Sequence, residues 1–127
     1  MTEISMKHIK LVELLERLTD EGKQDWQMND DDTEPVARIA NFYVTIREST
    51  SADGSGFVEI VMKNYLGEII DSFTDDDMTV YIGNNASDNY SRMKMLFRSA
   101  TRRATGADEA LDEILGELSE KDDDVPF

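Results

Sequence analysis

Between residues 36 and 73 the chain reads as a series of short alternating stretches, and that pattern limits the fold more than any other feature of the sequence. Val36-Ala37-Arg38-Ile39-Ala40 and Phe42-Tyr43-Val44-Thr45-Ile46 mix apolar and polar side chains in the manner of half-buried strands. Residues 57–62 and 68–73 resume the pattern. Turn-forming residues separate these stretches: Ala40-Asn41, the Ser, Thr, Asp and Gly cluster of residues 49–56, and residues 64–67. Links this short join antiparallel neighbours, so the middle of the chain is expected to be a meander with one face open to helices. Residues 23–28 add a short extended piece whose Trp26, the only tryptophan, is expected to plug the core.

Amphipathic helices bracket the strands. Over residues 3–18, Ile4, Ile9, Leu11, Val12, Leu14, Leu15 and Leu18 recur at helical spacing beside Lys7, Lys10, Glu13, Glu16 and Arg17. Gly22 supplies the stop, since glycine takes the positive φ that ends a helix. After Phe73, the acidic run Thr74-Asp75-Asp76-Asp77-Met78 reads as an extended, solvated segment, and residues 79–82 fit no single pattern. Ser87 or Asp88 is expected to cap a second helix that carries Tyr90, Met93, Leu96, Phe97, Ala100 and Ala104 on one side. Arg92, Lys94, Arg98, Arg102 and Arg103 make it the one basic element, a counter-charge to the acidic loops. Gly106 interrupts it, and Asp108 is expected to cap a third helix with Ala110, Leu111, Ile114, Leu115 and Leu118 as apolar positions. The predicted fold is α+β: an antiparallel sheet of four or five strands flanked by an N-terminal helix and two C-terminal helices. Residues 1–118 form the single domain and residues 119–127 a flexible acidic docking tail.

Charge narrows the choice of partner. The chain carries 13 basic and 28 acidic residues, a net charge of −15, of which residues 117–127 contribute only −4. Such a surface repels phosphate backbones and disfavours direct nucleic-acid binding, while it suits a basic protein partner. No stretch approaches the roughly 18 to 20 apolar residues that span a bilayer, and the amino terminus lacks the basic start and apolar run of a secretory signal. A cytoplasmic protein with no membrane partner is expected. The absence of cysteine excludes disulfides and thiol chemistry.

Catalysis finds little material. The single histidine, His8, lies in the first helix with no acid or nucleophile set beside it by sequence spacing, and is expected to be structural. There is no glycine-rich phosphate loop and no nucleophile elbow. Asp30-Asp31-Asp32 and Asp75-Asp76-Asp77 lack the spacing of a calcium loop. The chain is expected to be no enzyme and to need no cofactor or metal.

The last residues hold the chemistry of recognition. Asp122, Asp123 and Asp124 can be steered toward a basic surface. Pro126 lowers the entropy lost on binding, Phe127 carries a large apolar ring, and its α-carboxylate can be clamped by arginine or lysine. Asp122-Asp123-Asp124-Val125-Pro126-Phe127 resembles the acidic tip of bacterial single-stranded DNA-binding proteins. The family usually has isoleucine or leucine where this chain has Val125, a difference of one methylene. In that family the tip recruits genome-maintenance proteins such as an exonuclease, helicases and replisome subunits, through apolar pockets ringed by basic residues. The resemblance implies the same class of partner here.

The body carries a second resemblance. The first helix with Gly22 and Trp26, the strand phrase Tyr65-Leu66-Gly67-Glu68-Ile69-Ile70, and residues 99–115 together resemble a small uncharacterised bacterial α+β family, which implies a fold and a bacterial or phage origin but no active site. Three functions follow as expectations. The first is an interaction module docking through residues 122–127 in DNA replication, repair or recombination. The second is an acidic DNA mimic or inhibitor of phage or mobile-element origin. The third is a single-stranded DNA-binding protein in which Phe42, Tyr43, Phe57, Tyr65 or Tyr81 stacks on bases.

Overall fold

The structure is a computed structural model that describes residues 4–83 and 85–122. Helix α1 (Met6–Asp20) leads into strands β1 (Gln27–Met28), β2 (Pro35–Ile39), β3 (Phe42–Thr50), β4 (Gly56–Asn64) and β5 (Ile69–Thr74). The strands form one antiparallel sheet in sequence order, as expected of a meander with short links. Helices α2 (Asp75–Ile82), α3 (Ala86–Thr105) and α4 (Ala107–Lys121) follow. The fold is α+β, with an N-terminal helix, a five-stranded antiparallel sheet and the two long C-terminal helices.

Register decides which face is core. Ala37, Val44 and Met62 lie in one row across the sheet, and Ile46, Ile60 and Phe73 in the next. Against these rows pack Ile9, Val12 and Leu15 of α1, Met78 of α2, and Met93, Leu96 and Ala100 of α3. Trp26 joins the same cluster, and its indole N–H donates to the buried Thr19 hydroxyl at 3.0 Å. A buried tryptophan needs such a partner, and this one ties β1 to the end of α1. The other face carries the row Val36, Thr45, Val61 and Ser72. There Arg47 lies 3.2 Å from Glu34 and 3.8 Å from Glu59, though its Nε is too poorly aligned with Glu34 for a hydrogen bond.

Three local expectations are corrected. The run from Thr74 to Met78 is not extended, because Asp75 opens α2. The Thr74 hydroxyl accepts the Asp77 N–H at 3.2 Å and the Asp77 carboxylate accepts the Thr74 N–H at 2.9 Å. This reciprocal capping, with three carboxylates in the first turn against the positive end of the helix dipole, makes a helix start of an acidic run. Helix α3 is capped by Asn85, whose side-chain oxygen accepts the Ser87 N–H at 2.8 Å, rather than by Ser87 or Asp88. Gly106, with φ of 69°, both ends α3 and precedes α4, so Asp108 falls inside the first turn and pairs with Arg102 instead of capping. Gly22 ends α1 as expected, with φ of 72°.

Candidate docking surface

Helix α4 is the element that differs from the rest. Glutamates and aspartates favour its start, and Ala110, Leu111, Ile114, Leu115 and Leu118 give it an apolar side, yet none of its residues is buried. Leu111 is 49% exposed, Ile114 56%, Leu115 36% and Leu118 50%. The stripes of α1 and α3 fill the core, whereas α4 turns at Gly106 and, among the described residues, packs mainly against α3. Ala110, Glu113, Ile114, Glu117 and Leu118 line a shallow hollow of about 410 Å³ along its surface. A contiguous apolar strip edged by carboxylates is the kind of surface that marks a protein-interaction site.

The expected site residues follow directly. Asp122 is the C-terminal cap of α4: it leaves the helix in an extended conformation, φ −136° and ψ 100°, while its N–H donates to the Leu118 carbonyl at 3.1 Å. Asp123, Asp124, Val125, Pro126 and Phe127 lie outside the described residues. The helix runs on to Lys121, so residues 119–121 of the expected tail are helical.

The basic side of α3 is largely engaged within the molecule. Arg92 reaches Glu16 of α1 through Nε at 2.9 Å and Nη2 at 2.6 Å, and that carboxylate raises the Arg92 pKa further. Lys94 meets Glu48 of β3 at 2.7 Å, and the hydrogen bonds it donates to Glu48 and Tyr90 raise its pKa. Arg102 pairs with Asp108 and holds that carboxyl below its usual range. Arg103 donates to the Asp20 carbonyl at 3.3 Å. These groups tie α3 to α1, β3 and α4, and leave a phosphate backbone few cations to follow.

His8 has neighbours that spacing did not show. Its Nε2 lies 2.8 Å from the Asp71 carboxylate of β5, and its ring edge meets Phe73 with centroids 4.9 Å apart. Ser5 sits at the cap of α1, with its hydroxyl 3.1 Å from Nδ1 and its backbone N–H donating to the same nitrogen at 3.0 Å. That N–H can only donate, so Nδ1 carries the lone pair and neutral His8 directs its Nε2 proton at Asp71. A serine, a histidine and an aspartate are thus brought together, but the Nδ1 lone pair that would take a nucleophile's proton already accepts the Ser5 N–H in the cap of α1, while Nε2 fastens α1 to β5. Among the described residues no three histidine or carboxylate side chains converge as a metal-binding group, and no helix is long and apolar enough to cross a membrane.

What sequence reasoning missed is the exposure of the α4 stripe. The signal lay in the acids placed close on both flanks, Asp112, Glu113 and Glu117, and in the fact that the earlier helices already suffice to cover the sheet. Comparison with protein-family models, with curated proteins and with solved structures gave no match.

Proposed function

We propose that the protein is a non-enzymatic interaction module that docks through Asp122-Asp123-Asp124-Val125-Pro126-Phe127 onto proteins that read the tip of bacterial single-stranded DNA-binding proteins. The setting is DNA replication, repair or recombination. The observation that carries this reading is the junction of α4 with the peptide: the helix has no buried residue, among the described residues it packs mainly against α3, and Asp122 leaves it in an extended conformation. The engagement of Arg92, Lys94 and Arg102 by Glu16, Glu48 and Asp108 weighs against the single-stranded DNA-binding alternative.

Magnitudes set the test. Burying about 150 to 250 Å² of the Phe127 ring at about 25 cal/mol per Å² gives roughly 4 to 6 kcal/mol. Ordering the peptide offsets part of this, and a carboxylate clamp with three aspartates restores it, so an affinity near micromolar, about 8 kcal/mol, is expected. Binding of the intact protein to a tail-reading exonuclease, helicase and replisome subunit, and to single-stranded DNA, is measured beside a variant lacking Phe127 and one extended past it. Loss of at least tenfold in both variants, with no DNA binding, supports the reading. Indifference of every protein partner to Phe127 overturns it, and tight DNA binding abolished by Arg98→Glu with Arg102→Glu replaces it with the alternative.

A further inference from the structure

We infer that the apolar stripe of α4 is a second docking surface, which lies in an apolar groove walled by lysine or arginine on the same partner. This rests on the reading of the protein as a docking module and gives it a second contact. Leu111, Ile114, Leu115 and Leu118 stand at i, i+3, i+4 and i+7, the anchor spacing with which an amphipathic helix lies in a groove. All four are solvent-facing in the free protein, so the surface exists before the partner arrives.

Charge selects the occupant. Helix α4 carries six carboxylates, from Asp108, Glu109, Asp112, Glu113, Glu117 and Glu120, against Lys121 alone, and that lysine lies 3.5 Å from Glu117. Two copies meeting stripe to stripe would set these acids against each other, and an anionic lipid surface would repel them. A groove with basic walls removes the conflict and matches the chemistry that residues 122–127 require. Those six residues reach on the order of 20 Å when extended, so the groove and the peptide pocket lie within that distance on one partner. Joined by so short a link, the second contact forms at an effective concentration in the millimolar range, and the stripe multiplies the affinity of the peptide.

The stripe is exposed, so Leu111→Ser with Leu118→Ser leaves the fold standing; an unchanged thermal melt and circular dichroism spectrum verify this. Full-length protein, this double variant, the variant lacking Phe127 and their combination are titrated against the tail-reading exonuclease, helicase and replisome subunit, with hydrogen exchange followed in α4. The expected result is a loss of tenfold or more for the double variant with Phe127 intact, and slowed exchange in α4 when the partner is added. A double variant that binds like wild type, while loss of Phe127 abolishes binding, overturns the inference and spares the peptide reading. Binding that depends on the stripe and not on Phe127 overturns the peptide reading instead. No binding by any of the three overturns both, and a dimer that the double variant dissociates in ultracentrifugation overturns the inference in favour of a second copy.

Discussion

Asp75 is a carboxylate held where its charged form is poorly solvated. It is 3% exposed and accepts the Val58 N–H at 2.8 Å, joining the start of α2 to β4. Burial pushes its pKa above the ordinary 3.8, overriding that hydrogen bond, and the charges of Asp76 and Asp77 push the same way. The folded state therefore binds this proton more tightly than the unfolded chain. Its contribution to stability is full below the unfolded value and is lost as pH rises through the raised one. Asp75→Asn keeps an acceptor for Val58 and does not titrate. Urea melts over a pH series should therefore show the wild type losing ground to this variant as pH rises from about 3.8. A difference that stays flat, or grows with pH, would assign the effect elsewhere. Asp75→Ala leaves the Val58 N–H unpaired in the core and should cost about 1 to 3 kcal/mol. Trp26 was legible in the sequence because a lone tryptophan beside a helix stop has few places to go but inward. Asp75 was not, because spacing along an acidic run does not say which carboxylate turns toward the core. The Thr74 and Asp77 capping pair, three residues apart, was the readable clue to α2.

At the scale of elements, β5 closes the sheet on an exposed edge, and its neighbourhood is apolar: Tyr65, Leu66, Ile69 and Ile70 all face solvent. Such an edge invites pairing with another strand. Here the Ser72 N–H is taken by the Asp71 carboxylate at 2.9 Å and the Thr74 N–H by that of Asp77 at 2.9 Å, which removes donors that a further strand would use. Replacing both Asp71 and Asp77 by alanine should raise self-association above that of wild type in sedimentation velocity. His8→Ala, which loses the tie to Asp71 but keeps both caps, should not. Equal behaviour of the two variants would mean that the tie between α1 and β5, not the capped edge, controls association. The meander and α1, α3 and α4 were legible because alternation and 3.6-residue periodicity survive without tertiary knowledge. The uncovered α4 stripe was not, since periodicity identifies the apolar side of a helix and is silent on what, if anything, covers it.

Across the whole molecule a net charge of −15 acts on folding and on docking with opposite signs in salt. Three of the five cations of α3, Arg92, Lys94 and Arg102, are held in local pairs with Glu16, Glu48 and Asp108, each partly exposed pair being worth about 0 to 1 kcal/mol. Acids outnumber bases by more than two to one, so the remaining carboxylates repel one another in the folded state more than in an expanded chain. Screening shortens from about 30 Å at 0.01 M salt to about 3 Å at 1 M, which weakens this long-range repulsion more than it weakens contacts closer than 3 Å. The melting temperature should therefore rise between about 10 mM and 500 mM sodium chloride, by about 4 °C for each kcal/mol of repulsion relieved. Docking of the same acidic surface onto a basic partner should weaken over that range, and asparagine at Asp122, Asp123 and Asp124 should flatten its salt dependence. Measuring both in one salt series separates the two terms. A melting temperature that falls with salt would mean that the paired cations outweigh the repulsion. The bidentate Arg92–Glu16 contact would then be the first pair to examine, by comparing Arg92→Lys, which keeps the charge and loses the fork, with Arg92→Ala.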